Sequence, residues 1–146
     1  MGHPWGGLHS TAIDIATLLQ AILDGGRGLW SAPTLRAMVS DQNTHLPGRA
    51  WGLGWSTGSG IGGSIRSGNA ACDLGDLLSA AAFGHTGSVG SLAWADPDSQ
   101  SICVICSDAN VLSGTLRRRA SNSVACAVVP APPHHPSILV WDQHGD

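Results

Sequence analysis

The stretch FGHTGSVGSLAWADPDSQSICVICSD, residues 83–108, decides which fold this sequence can adopt. Its segments SLAWA and SICVICS are apolar runs typical of strands, and DPDS between them favours a type I turn with Pro97 in the second position. Residues 101–107 are apolar at nearly every position, which is typical of a strand covered on both faces. The stretch therefore predicts an antiparallel hairpin whose first strand carries His85, Thr86 and Gly87.

Two helices are predicted before this hairpin. The first begins at a cap supplied by Ser10 or Thr11, and a Gly-Gly pair at 25–26 ends it. Its apolar residues recur at helical spacing, at Ala12, Ile15, Ala16, Leu19, Ile22 and Leu23. The second helix follows Ser31, with Pro33 in its first turn, where a missing N–H costs little.

Three further segments complete the predicted order of elements. WGLGW, residues 51–55, predicts a short strand, and the Gly- and Ser-rich residues 56–69 predict a hairpin or loop. Residues 110–128 predict a closing helix. Residues 129–146 are Pro-rich at first and are expected to form an extended or disordered tail.

Composition limits what this chain can bind. The 146 residues carry a net charge of -3 with only 12% charged residues, so no basic face can neutralise several phosphates and no nucleic-acid partner is expected. The run RRR at 117–119 is expected on the solvated side of a helix. No apolar run approaches the roughly 18 residues of a membrane span, and no signal peptide is recognised. We expect a soluble protein, and the sequence does not indicate its compartment.

The cysteines do not predict a metal or redox site. Cys103 and Cys106 form a CxxC motif, but they lie in a predicted strand, where side chains three residues apart face opposite ways. We therefore expect buried cysteines that pack as small apolar residues. The two histidines of the tail, His134 and His135, are expected to be solvated. No cofactor and no metal are expected.

Four stretches in a fixed order carry a family resemblance: GGLHSTAIDIATLLQAILDGG, LWSAPTLRAMVSDQ, WGLGW and FGHTGSVGSLAWADPDSQSICVICSD. Together they resemble the C-terminal part of the serine β-lactamase-like hydrolases, a family that includes class C β-lactamases, DD-peptidases and related esterases. The resemblance covers residues 4–110. It implies an α+β fold with an antiparallel sheet flanked by helices, a partial domain over residues 1–128, and a small-molecule acyl substrate for the complete enzyme.

The same resemblance implies roles for one group of residues. Three motifs line the site in that family: SxxK with the nucleophilic serine, a Tyr- or Ser-containing motif that ends in Asn, and a triad similar to KTG on a strand. His85, Thr86 and Gly87 match the third motif, with histidine where lysine is commonest. By resemblance Thr86 hydrogen-bonds the substrate, Gly87 lets the substrate backbone approach, and the Ser88 N–H donates to the oxyanion.

Histidine at the first position of the triad also has a consequence for the substrate. A lysine there carries a fixed positive charge that suits a carboxylate, whereas histidine side chains are largely neutral above pH 7. The complete enzyme is therefore expected to prefer neutral esters to carboxylated β-lactams.

The other two motifs are missing. The chain has no Lys, no Glu and no Tyr, so neither SxxK nor a Tyr-based motif can be present. SDAN at 107–110 and SNS at 121–123 resemble the Asn motif only loosely, and both follow HTG, whereas the family places that motif before it. No nucleophile is assigned. We expect a hydrolase fragment that is inactive by itself.

Alternatives remain open. GWSTG at 54–58 fits the G-x-S-x-G elbow of another hydrolase class, with Ser56 as nucleophile, but SGIGGSIRSG after it does not favour a helix. The chain could instead be a non-catalytic module that binds a ligand or a partner, or part of a longer reading frame. An in-frame SxxK upstream of Met1 would distinguish these cases. As part of a domain, the chain is expected to expose a strand edge and apolar surface, and so to self-associate.

Overall fold

The sheet and its helices follow the predicted order. The computed structural model describes residues 6–46, 50–58, 74–107 and 114–127, and the backbone of residues 137–141. Its elements in chain order are α1 (Ala12–Leu23), α2 (Ala32–Val39), β1 (Ser56–Thr57), β2 (Phe83–Thr86), β3 (Leu92–Asp96), β4 (Ser101–Ile105), α3 (Gly114–Ala127) and β5 (Ser137–Trp141). The sheet order is β1-β2-β3-β4-β5, and β1 to β4 are antiparallel neighbours. The α+β prediction is confirmed.

Both faces of the sheet are covered, as the composition of β4 predicted. All five residues of β4 are buried. Since side chains alternate along a strand, Ile102 and Val104 lie in the cluster below α1 and α2, while Cys103 and Ile105 lie in the cluster below α3. The first cluster consists of Ala16, Leu19, Ile22, Leu35, Phe83, Ala95, Ile102 and Val104. The second consists of Leu74, Leu78, Ala82, Leu92, Trp94, Cys103 and Ile105.

The predicted helix starts are confirmed. Thr11 caps α1, since its hydroxyl accepts from the Asp14 N–H while the Asp14 side chain accepts from the Thr11 N–H, which is a capping box. Ser31 caps α2, and its side chain accepts from the Thr34 N–H. α1 ends where Gly26, with φ +91°, donates its N–H to the Ala21 carbonyl at 2.7 Å.

The strand assignment around HTG is corrected in one respect. The prediction placed HTG and SLAWA on one strand, whereas the structure has two strands, β2 and β3, joined by a tight turn. The Gly87 N–H bonds the Ser91 carbonyl at 2.7 Å, and Gly90 has φ +104°. Glycine tolerates this conformation without strain, so the chain reverses before Leu92 and the sheet gains a strand.

The predicted strand over residues 51–55 is also corrected. Trp51 and Ser56 face each other in an isolated antiparallel bridge, and Gly54 lies between them with φ +87°. These residues therefore form a tight turn. The strand begins only at Ser56, where β1 pairs with β2.

The C-terminal segment contributes a strand. Of the tail expected to be extended or disordered, Ser137–Trp141 form β5, which pairs in parallel with β4. Parallel neighbours need a long crossover, and α3 lies in the chain between them. These five residues are extended, which is one of the two states expected of the tail. The rest of the tail, including His134 and His135, lies outside the described residues, and the boundary at residue 128 stays a prediction.

The outer face of α1 is apolar. Ile13 is 62% exposed and Leu18 is 40% exposed, although both belong to a helix whose other side packs on β3 and β4. Leu8 and Leu29, just outside the helix, are exposed as well. In the part of the chain that the structure describes, no helix has the length and apolar character needed to cross a bilayer.

Candidate functional site

The HTG triplet lies where the sheet edge opens. His85 and Thr86 are the last two residues of β2, and on one side β3 pairs with both of them. On the other side β1 pairs only with Phe83 and Gly84. The edge of β2 is therefore covered up to Gly84 and open at His85 and Thr86, among the residues that the structure describes.

Gly84 sets how closely β2 and β3 approach. A Cβ built on Gly84 would lie 2.3 Å from the Ala93 carbonyl oxygen and 2.8 Å from the Trp94 Cα. Both are backbone atoms of β3, so the side chain cannot be accommodated by a rotamer change. Glycine before HTG thus keeps β2 in its register against β3.

The backbone of Thr86 faces the open edge. In an antiparallel ladder hydrogen-bonded pairs alternate with non-hydrogen-bonded ones. Gly87 donates its N–H to the Ser91 carbonyl at 2.7 Å, so the next pair, Thr86 with Leu92, is of the non-bonded kind. The N–H and C=O of Thr86 therefore point away from β3, towards the side that β1 does not reach.

Among the described residues, two contacts orient the His85 ring. Its Nδ1 lies 2.7 Å from the Thr86 carbonyl oxygen. Its ring lies 5.3 Å, centroid to centroid, from the Trp51 ring, at an interplanar angle of 58°. The His85 side chain is otherwise exposed.

Trp51 is held in place by its own backbone. Its N–H bonds Asp41 Oδ1 at 3.2 Å, and its carbonyl accepts from the Gln42 N–H at 2.7 Å. The bridge to Ser56 completes this attachment. The contact between Trp51 and His85 was not expected from the sequence, in which WGLGW predicted only a strand. The signal that could have found it is an aromatic residue at the start of a tight Gly-rich turn next to β1.

The remaining predicted site residues follow in the turn. Thr86 and Gly87 are half-buried, and Ser88 is exposed. A Cβ on Gly87 would lie 3.2 Å from the Ser91 Cβ, so a larger residue there would crowd the turn. Within the described residues, no acceptor is recorded for the Ser88 N–H. The structure thus brings His85, Thr86, Gly87 and Ser88 together at one end of β2.

Ser56 does not have the local structure of a nucleophile elbow. It lies in β1, opposite Gly84, and Thr57 continues the strand. An elbow places its serine on a strained turn between strand and helix. Arg27 and Gln100 are the only non-glycine residues with positive φ in the described part of the chain, so Ser56 carries no such strain.

Of the two loose matches to the Asn motif, SNS does not join the site. Ser121 is fully buried in α3, where its hydroxyl accepts from Trp94 Nε1 at 2.9 Å and donates to the Leu74 carbonyl. Of the SDAN stretch, only Ser107 lies in the described residues. Ser121 therefore has a structural role.

The expectation of buried cysteines holds for Cys103, but it is wrong for Cys106, which lies just past the end of β4, and for Cys126. Cys103 is buried and Cys106 is exposed, so the two thiols do not share a site. Burial raises the pKa of the Cys103 thiol to about 12, which keeps it protonated and unreactive. Within the described residues, no group of three His, Cys, Asp or Glu side chains could hold a metal ion.

Comparison with known proteins agrees with this architecture. A family model described as Beta-lactamase matches residues 1–125. No curated protein and no solved structure matches the chain. The matched region includes α1, α2, β1 to β4 and all but the last two residues of α3. On the strength of this match over most of its length, the chain belongs to the Beta-lactamase family and has a fold related to serine hydrolases.

Proposed function

We propose that this chain supplies the HTG wall of a serine hydrolase active site, and that it does not carry out acyl transfer by itself. The observation that supports the proposal most directly is the edge of β2, which no described residue covers beyond Gly84; there Thr86 presents its backbone, and the Ser88 N–H has no acceptor among the described residues. In a member of this family, such an edge is suited to an acyl group.

Each residue of the wall has a role in this proposal. The Ser88 N–H donates to the oxyanion that develops on the acyl carbonyl, a contribution that is typically worth about 10²–10³ in rate. Thr86 hydrogen-bonds the substrate. Gly87, which has no side chain, lets the substrate approach the backbone.

The nucleophile and its base are not supplied by this sequence. Hydrolysis through an acyl-enzyme needs an activated serine and a group that takes its proton. The chain has no lysine for an SxxK motif and no tyrosine. The substrate of the complete site would be an ester, an amide or a β-lactam, and a neutral ester suits His85 better than a carboxylated β-lactam.

A labelling experiment tests whether the chain is inactive alone. The purified protein is treated with a fluorophosphonate probe, which modifies activated serines whatever the substrate, and is assayed with a chromogenic β-lactam and a p-nitrophenyl ester. We expect neither labelling nor turnover above the level of heat-denatured protein. Labelling that maps to Ser56 and disappears in Ser56→Ala would overturn the proposal in favour of the elbow.

A second test concerns the missing motif. The DNA upstream of the Met1 codon is read for an in-frame SxxK. Its presence would support the proposal, and a chain expressed from that longer frame should hydrolyse the ester. In that protein, Gly87→Val should reduce hydrolysis strongly, because the added side chain would crowd the turn at Ser91.

The alternative is a binding module without catalysis. The outer face of α1, with Ile13 and Leu18 exposed, favours this alternative because it offers apolar surface away from the HTG edge. Replacing both residues with serine should then abolish binding or self-association without changing the HTG wall. An upstream SxxK with ester hydrolysis would count against this alternative.

A further inference from the structure

The contact between His85 and Thr86 determines which ring nitrogen carries the proton. A carbonyl oxygen only accepts hydrogen bonds, so at 2.7 Å from the Thr86 oxygen the Nδ1 of His85 must be the donor. A neutral imidazole has a single N–H. In the neutral side chain Nε2 is therefore unprotonated and can only accept.

Trp51 keeps the imidazole in this orientation. Its ring lies against His85 at 5.3 Å, and its backbone is tied to Asp41, Gln42 and Ser56. Rotation of the imidazole away from the Thr86 carbonyl would give up both the hydrogen bond and the ring contact. The tautomer is thus set by two contacts that lie on different segments of the chain.

This arrangement changes what the open edge offers. The Thr86 carbonyl faces the edge, and His85 Nδ1 takes up one of its two acceptor positions. The acceptor next to it is Nε2. A lysine in the same position would present three donors and no acceptor.

We propose that His85 is a specificity-determining residue that presents Nε2 as a hydrogen-bond acceptor, so that the site prefers an ester or amide substrate that carries a neutral N–H or O–H group at this position. A carboxylate has no proton to donate and is disfavoured there. The inference rests on the proposed function of the HTG wall, because it assigns the kind of substrate group that this wall receives.

The tautomer is measured on the protein without any ligand. Long-range ¹⁵N–¹H spectra of the ¹⁵N-labelled chain are recorded at alkaline pH, where imidazole side chains are neutral. We expect Nδ1 to resonate as a protonated nitrogen and Nε2 as an unprotonated one. In Trp51→Ala the preference for the Nδ1-protonated tautomer should weaken. Leu53→Ala, which replaces an exposed residue in the same turn, should leave that preference unchanged. The reverse tautomer in the wild type would overturn the inference whatever the function of the wall.

The ligand preference is measured with two small probes of matched shape, butyramide and butyrate. Butyramide should shift both the Ser88 amide signal and His85 Nε2, and butyrate should leave Nε2 unchanged. In His85→Lys the preference between the probes should reverse towards butyrate. If both probes shifted the Nε2 signal equally, or if the Ser88 amide signal shifted and the Nε2 signal did not, this inference would be overturned but the proposed function would stand. No response at Ser88 to either probe would overturn the proposed function, and this inference with it.

Discussion

The hydroxyl of Ser121 joins three parts of the fold in its second core cluster. It accepts a hydrogen bond from Trp94 Nε1 on β3 at 2.9 Å and donates one to the carbonyl of Leu74. Leu74 lies in the loop before β2. Ser121, Trp94 and Leu74 are all fully buried. We predict that Ser121→Ala, which removes this hydroxyl and little else, destabilises the fold far more than a serine-to-alanine change on a helix usually does.

The magnitude follows from the two groups left without a partner. A buried donor or acceptor that loses its hydrogen bond costs about 1–3 kcal/mol, and here the Trp94 N–H and the Leu74 carbonyl lose one together. Alanine returns about 0.5 kcal/mol through its higher helix propensity. The net loss is about 1.5–5.5 kcal/mol, and at about 4 °C per kcal/mol for a chain of this size the thermal unfolding midpoint should fall by about 6–22 °C.

The control variant lies two residues away on the same helix. Ser123 is exposed, and its hydroxyl bonds only the Arg119 carbonyl one turn earlier, at 3.0 Å. Ser123→Ala should change the free energy of unfolding by no more than about 0.5 kcal/mol. Urea unfolding is followed by far-UV circular dichroism at two protein concentrations, so that association is separated from unfolding. Equal losses in the two variants would refute the reasoning.

Three further predictions concern the site strand, the thiols and the state of association. Gly84→Ala should shift or unfold β2, since the added Cβ would lie 2.3 Å from the Ala93 carbonyl oxygen. Gly114→Ala should be tolerated, because a Cβ there meets no neighbouring atom within 4 Å, and the thermal unfolding midpoints of the two variants are compared. Cys103, whose pKa burial raises to about 12, should be alkylated only after denaturation, whereas the exposed Cys106 should react in the native chain. Peptide mass spectrometry of iodoacetamide-treated protein checks this, and alkylation of Cys103 in the native chain would contradict it. The chain should elute as an oligomer or aggregate in size-exclusion chromatography with light scattering, because it exposes an open strand edge and an apolar helix face; a sharp monomer peak with a strong near-UV signal would contradict this.

Local signals in the sequence were sufficient for the helices and for the most buried strand. Thr11 and Ser31 act on amides only a few residues away, so the cap can be recognised without knowing the rest of the fold. The apolar run of β4 predicted cover on both faces, because a strand exposed on one face would alternate. The HTG triplet was found for a different reason: its order among three other stretches resembles the family that the comparison later showed.

The sequence by itself thus determined the two N-terminal helices and the buried strand β4, since these depend on local chemistry, whereas the residues of the candidate wall rest on the resemblance. The sequence also determined that this chain supplies neither lysine nor tyrosine to a site, because no fold can supply a residue that the chain lacks. Only the tertiary structure decided that β1 stops beside Gly84, that Trp51 lies against His85, and that Ser137–Trp141 join β4. Each of these depends on register or on contacts between residues far apart in the chain, and such contacts are set by how the whole sheet packs rather than by any neighbouring residue.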